Sequence, residues 1–109
     1  MAQTNLGMMY ETGRGVPQDF AEAVKWYKLA AANGDAAGQN NLGAALFAGR
    51  GTSKDVVKAY MWIMLAAELG DSYARNQAHD VMSVMTGEQI AQGKKLAKKC
   101  KATKYKECE

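Results

Sequence analysis

The sequence contains few of the residues that membrane spans, metal sites and β-sheets require. It has one proline and one histidine, aromatic residues make up 8% of the chain, and β-branched residues are sparse. No apolar run approaches the ~20 residues that a transmembrane helix needs, and residues 1–4 lack the basic head and apolar core of a signal peptide. Abundant alanine favours closely packed helices, so the 109 residues predict a single all-α domain.

Side chains that perform catalysis or hold metals stand apart from one another in this sequence. His79 is the single histidine and has no cysteine near it, so we expect no metal site. The serines lie outside any nucleophile-elbow context, and the carboxylates show no evident pair. Gly13-Arg14-Gly15 lacks the spacing of a phosphate-binding loop. The sequence therefore predicts a protein that is not an enzyme and uses no cofactor.

Positive charge is concentrated at the end of the chain. Residues 1–93 carry seven Lys or Arg against nine Asp or Glu, whereas residues 94–109 carry seven Lys against two Glu. Such a segment could contact nucleic acid or an anionic membrane, but no aromatic pattern of a nucleic-acid-binding domain accompanies it. We interpret it as a solvated terminal helix and tail, and we expect no nucleic-acid partner.

The strongest pattern is an internal repeat of 36 residues. A shift by one period aligns fifteen identical residues, among them Trp26 with Trp62 and Gly13-Arg14-Gly15 with Gly49-Arg50-Gly51. Composition alone does not place two tryptophans and two such triplets in register. A fixed period of this length is typical of solenoids, in which each unit buries its apolar face against the next.

Each period predicts two helices separated by the glycine triplet. Asp19, Asp35, Asp55 and Asp71 stand where N-caps belong, and Thr86 with Gln89 predicts a capping box for a last helix. We expect helices over 36–48 and 55–69 in the second period. The predicted units are repeat 1 over about 1–35, repeat 2 over about 36–71, a degenerate capping repeat over 72–102 and a lysine-rich tail over 103–109.

These motifs resemble the Sel1-like repeat, a relative of the tetratricopeptide repeat. The matching residues in the first period are Asn5-Leu6-Gly7, Tyr10, the run from Gly13 to Asp19, Ala23, Trp26-Tyr27, Ala30-Ala31 and Gly34-Asp35. The resemblance covers almost the whole chain and implies an α-solenoid of antiparallel helix pairs with a C-terminal capping helix. It implies less about function, because this repeat serves as a scaffold in unrelated pathways.

By similarity to related repeats, a partner protein or peptide would lie on a concave face lined by the first helix of each pair. The candidate contact residues on that face are Thr4, Met8, Glu11, Asn40, Ala44, Phe47, Tyr73, Asn76 and Asp80. Phe47 and Tyr73 are the expected anchors, since aromatic residues dominate binding hot spots. Asn40 and Asn76 share a register, so paired amides could hold an extended backbone.

Two cysteines and the start of the chain raise further expectations. Cys100 and Cys108 are eight residues apart, and they form a candidate disulfide if the last helix ends near Ala102 and the chain folds back. This would indicate a periplasmic or secreted protein whose signal peptide lies outside the sequence; two free thiols in the cytoplasm are the alternative. The first helix has no preceding repeat to cover it, so Met8 and Tyr27 would form an apolar patch, which suggests a longer array or a homo-oligomer.

The leading hypothesis is a non-enzymatic scaffold that binds a protein partner. A narrower version is a periplasmic immunity or regulatory protein that neutralises one effector. The resemblance leaves open a cell-wall-active hydrolase, because hydrolytic activity has been ascribed to some relatives. The absence of an evident nucleophile and base argues against that alternative.

Overall fold

The computed structural model describes residues 2–106 and 108, which form an array of antiparallel helix pairs measuring 41 × 27 × 24 Å. The described part of the chain is helical and contains no strand. The helices are α1 (Ala2–Thr12), α2 (Phe20–Ala32), α3 (Ala36–Ala48), α4 (Val56–Glu68), α5 (Ser72–Met82) and α6 (Gly87–Ala102). The helices expected over 36–48 and 55–69 agree with α3 and α4 to within one residue at each end, and the predicted helical solenoid is confirmed.

Four helices begin at the aspartates that the sequence marks as caps. Asp19, Asp35, Asp55 and Asp71 each accept a hydrogen bond from a backbone N–H in the first turn of the following helix. These bonds pair N–H groups that have no partner within the helix. At α6 the capping box is complete, since Thr86 and Gln89 each bond the other's backbone.

Helix α4 lies at the centre of the array. Tyr60, Met61, Trp62, Ile63 and Leu65 are all buried, because α4 packs against α3, α5 and α6. Helix α3 crosses α4 at Gly43, which has no side chain. A Cβ at this position would lie 2.5 Å from the Ile63 Cγ1 atom. Glycine therefore sets the distance between these two helices.

The end of the chain folds back across the outer layer formed by α2, α4 and α6. Cys100 and Cys108 form a disulfide with a Cα–Cα distance of 4.6 Å. Between them, Lys106 donates from Nζ to the Ala32 carbonyl at 3.1 Å, and the Tyr105 ring lies against Gly34. The α6 lysines are exposed, as expected of a solvated terminal helix, but Tyr105, Lys106 and Cys108 contact the first two repeats.

None of the helices within residues 2–106 is long and apolar enough to span a membrane.

Candidate functional site

One face of the array carries a series of depressions that recur with the 36-residue period. We call it the first-helix face, because α1, α3 and α5 each contribute to its depressions, together with residues of α2 and α4. A shallow depression on α1 is lined by Asn5, Met8, Met9, Thr12 and Arg14. A central pocket between α1 and α3 is lined by Asn41, Ala44, Ala45 and Arg50, one period later, together with Glu11, Phe20, Ala23, Val24 and Tyr27. A distal pocket between α3 and α5 is lined by Ala44, Phe47, Ile63, Gln77, Asp80 and Val81.

The central pocket is largely filled by its own polar side chains. The Tyr27 hydroxyl donates to Glu11 Oε1 at 2.5 Å, and Arg50 Nη1 lies 3.6 Å from Glu11 Oε2. Burial raises the pKa of Tyr27, and the hydrogen bond to Glu11 and its negative charge raise it further. About 40 Å³ of open volume is left, so this pocket offers little room for a ligand side chain.

Arg50 lines the central pocket and is held there by two neighbouring side chains. Its guanidinium lies 5.3 Å from the centroid of the Phe20 ring, a cation–π distance. The carboxylate of Glu11 and the ring of Phe20 together hold a side chain that is more than half exposed. Arg50 thereby joins the turn of repeat 2 to both helices of repeat 1.

The distal pocket is larger and mostly apolar. It has a volume of about 200 Å³ and walls formed by Phe47, Ile63 and Val81. Its polar groups are Asp80 and the Gln77 side-chain amide, whose Oε1 is buried without a hydrogen-bond partner. Relative to the central pocket, Phe47 replaces Glu11 and Ile63 replaces Tyr27. These two exchanges remove the Tyr27–Glu11 hydrogen bond that fills the central pocket.

The predicted contact residues distribute over this face unevenly. Glu11, Ala44, Phe47 and Asp80 line the central and distal pockets, and Met8 lines the depression on α1. Tyr73, 63% exposed, and Asn76 lie on α5 but do not line these pockets. Phe47 also packs against two groups of buried residues, one that includes Leu46 and Trp62 and one that includes Ile63 and Val81. Its ring therefore has a structural role beside any contact with a partner.

The surface positions assigned to Asn40 and Thr4 are wrong. Asn40 is 5% exposed and Thr4 is also buried. Thr4 donates to Asp35 Oδ2 at 2.6 Å, which shows that this register faces the next helix pair. Asn76 is exposed in the same register, since α6 packs mainly against α4 rather than α5. The expected pair of surface amides therefore does not form.

Sequence reasoning missed several pocket residues. Arg50 was interpreted as part of a turn, and Ile63, Gln77 and Val81 were not assigned to the face. The signal was present in the repeat itself: Asn41 and Gln77, like Ala45 and Val81, are one period apart. Pairing each first-helix residue with its equivalent one period later would have found these walls.

The leading edge of the array is apolar, but Tyr27 does not contribute to it. Tyr27 is buried, which corrects the expected exposed patch. Leu29 is 44% exposed, whereas its equivalent Leu65 is 1% exposed. The difference arises because Leu65 packs with Cys100 and Cys108 in the core. Within the part of the chain that the structure describes, no element covers Leu29.

Titratable groups in the described part of the chain do not assemble into a metal site. No group of three or more His, Cys, Asp or Glu side chains is close enough to hold an ion within residues 2–106 and 108.

Burial favours a raised pKa for Asp35, but interactions of the ionised form, including hydrogen bonds from Thr4 and the Ala37 N–H, hold the pKa below its usual value. Asp35 thus acts as a structural cap.

The stacked helix pairs define a helical-repeat solenoid. The Sel1 repeat family model matches residues 1–35 and 36–71. The chain belongs to the Sel1 repeat family, whose members are generally protein-interaction scaffolds. A search of curated proteins finds no match.

Two solved structures are similar to this chain. A protective antigen of uropathogenic Escherichia coli strains with an SLR fold has a TM-score of 0.89 at 27% identity, over 95% of this chain. A Sel1 repeat protein from Oxalobacter formigenes has a TM-score of 0.68 at 40% identity, over 71% of this chain. The chain spans 23% and 32% of the lengths of these two proteins, respectively.

Proposed function

We propose that the chain is a non-enzymatic interaction module that binds a segment of a partner protein along the first-helix face. The observation that carries this proposal is the row of depressions on α1, α3 and α5, repeated with the sequence period. Depressions that recur along one face suit an extended segment, whose side chains project at regular intervals. Aromatic residues at the face, Phe47 and Tyr73, supply apolar area for such a contact.

The proposed compartment is the periplasm or the exterior of the cell. A disulfide between Cys100 and Cys108 persists in an oxidising environment and is rare in the cytosol. The similar protein from Escherichia coli is described as a protective antigen. A role in neutralising one specific effector would use the same face, and the identity of a captured partner would distinguish it from a general scaffold.

Affinity capture from an extract of the producing cells tests the proposal. The native chain is compared with an Ala44→Arg variant, because Ala44 is only partly buried and lines both the central and the distal pocket. We expect a protein retained by the native chain and lost by the variant, with both chains unfolding at the same temperature. Equal retention by both chains would place binding on another surface, such as the α6 lysines.

Self-association through the leading edge is a separate proposal that rests on the exposure of Leu29. A charged residue there would oppose burial of that surface in an interface. We expect the native chain to sediment as an oligomer at high concentration and Leu29→Glu to sediment as a monomer. A native chain that stays monomeric would contradict it.

A further inference from the structure

We propose that the distal pocket between α3 and α5 selects partner segments in which an aromatic or branched apolar side chain is adjacent to a lysine or arginine. This inference rests on the proposed function, because it specifies the chemistry of the segment that the first-helix face would bind. It rests on the volume, walls and polar groups of one pocket, and on the contrast with its equivalent one period earlier.

The size of the distal pocket fits one apolar side chain. An apolar cavity of ~150 Å³ accommodates a benzene molecule, and the distal pocket offers about 200 Å³. Phe47, Ile63 and Val81 form its walls, and Val81 and Ile63 are themselves buried, so the pocket is rigidly supported. An inserted aromatic or branched side chain would displace water from these walls, which is the main source of affinity in such pockets.

The polar groups of the pocket favour a donor and a positive charge. Asp80 is exposed and has no ion-pair partner among residues 2–106 and 108. Gln77 Oε1 is buried and accepts no hydrogen bond from the residues that the structure describes. A buried acceptor without a donor is unfavourable, and a ligand backbone N–H or basic side chain would satisfy it. Lys54 lies 5.9 Å from the Phe47 centroid and is not among the residues that line the pocket.

The central pocket explains why selection falls on the distal one. There the one carboxylate that lines the pocket, Glu11, is already paired with Tyr27 and Arg50, and little open volume remains. Ala44 lines both pockets. A large side chain at Ala44 therefore blocks the whole face, whereas a change at Asp80 or Gln77 alters the distal pocket alone.

A phage-displayed library of random nine-residue peptides, selected on the native chain with its disulfide intact, tests the inference. We expect the enriched peptides to share an aromatic or branched apolar residue (Phe, Tyr, Trp, Leu, Ile or Val) next to a Lys or Arg. Asp80→Lys should weaken binding of an enriched peptide about tenfold, since it places like charges together. Glu88→Lys, the same charge change at an exposed site on α6, is the matched control and should leave affinity within about twofold.

A second variant separates binding from folding. Gln77→Leu removes the buried Oε1 atom that has no donor, so the temperature of unfolding should rise or stay unchanged. The same change should weaken peptide binding about fivefold, because the ligand donor loses its acceptor. If Gln77 had only a structural role, Gln77→Leu would not weaken peptide binding in a chain whose stability is maintained.

The outcomes distinguish the inference from the proposed function. If Ala44→Arg abolishes peptide binding but Asp80→Lys and Gln77→Leu do not weaken it, the face is correct and the distal-pocket chemistry is wrong. If binding survives Ala44→Arg in a folded chain, the proposed face itself is wrong. Enrichment of no peptide, or of peptides without the apolar and basic pair, would also overturn the inference, and affinity capture would then test the proposed function independently.

Discussion

At the scale of the residue, Gly43 determines how closely α3 and α4 approach. A Cβ at this position would lie 2.5 Å from Ile63 Cγ1 and 3.0 Å from the Ala59 carbonyl oxygen. The atoms in contact belong to a buried side chain and to backbone, so the helices themselves must move. The packing of α3 against α4 therefore requires glycine at position 43, although glycine within a helix costs ~1 kcal/mol.

Gly43→Ala should lower the free energy of unfolding by about 1–3 kcal/mol, the usual effect of overpacking. Gly87→Ala is the control, because a Cβ there meets nothing within 4 Å and the residue has no positive φ. That variant should be neutral or slightly stabilising. Urea unfolding of both variants measures the difference, and equal stabilities would show that α3 and α4 adjust freely.

The carboxylate of Asp35 links stability to pH. Its pKa is below the usual 3.8, so its interactions stabilise the fold above that pH and are lost as the pH falls through the lowered pKa. Thr4→Val removes the hydrogen bond to this carboxylate, which should cost about 1–2 kcal/mol at pH 7. The difference between native and variant stability should shrink below pH 3.8. A difference that is independent of pH would assign the effect to packing.

Single residues were also where the sequence was least informative. The polarity of Asn40 predicts a surface position, yet the residue is buried. Period and residue type do not determine which flank of a first helix is covered. By contrast, the cap at Asp35 follows from local chemistry, because an N-cap needs its own side chain and the adjacent turn.

At the scale of the element, the start of α6 depends on the capping box of Thr86 and Gln89. Thr86→Ala should destabilise the chain by about 1 kcal/mol, because it leaves N–H groups of the first turn without a partner. Thr12→Ala is the matched control: that hydroxyl bonds the carbonyl of Met8 at an exposed site, where such bonds do not stabilise a helix. Thermal unfolding compares the two, and an equal loss would contradict the role of the box.

The positions of the helices were predictable, whereas the packing of α6 was not. Caps, glycine triplets and apolar spacing are local, so they predicted where helices begin and gave the bounds of α3 and α4 to within one residue. The choice of α4 rather than α5 as the neighbour of α6 depends on Gly93, whose missing side chain makes room for the Tyr60 ring. No spacing rule in the sequence pairs those two residues.

At the scale of the whole molecule, the disulfide holds a loop that joins the end of the chain to the first two repeats. Leu42 and Trp62 adjoin this loop, and Lys106 bonds the end of α2. The Cys100→Ser/Cys108→Ser variant should lose about 2–3 kcal/mol of stability, as expected for a loop of this size. In a Trp26→Phe background, Trp62 emission should shift to longer wavelength as water reaches the ring. Unchanged emission and stability would mean that the loop stays in place without the bond.

The central claim is that partners bind the first-helix face, and site-specific photo-crosslinking in the producing cells tests it most directly. A photoreactive residue is placed at Ala44, which lines both pockets, or at Lys98, an exposed position on α6. The account predicts a discrete cross-linked partner from position 44, which is absent from position 98 and becomes weaker when Asp80→Lys is added. Cross-linking from position 98 with none from position 44 would contradict it and place the interaction on the outer layer.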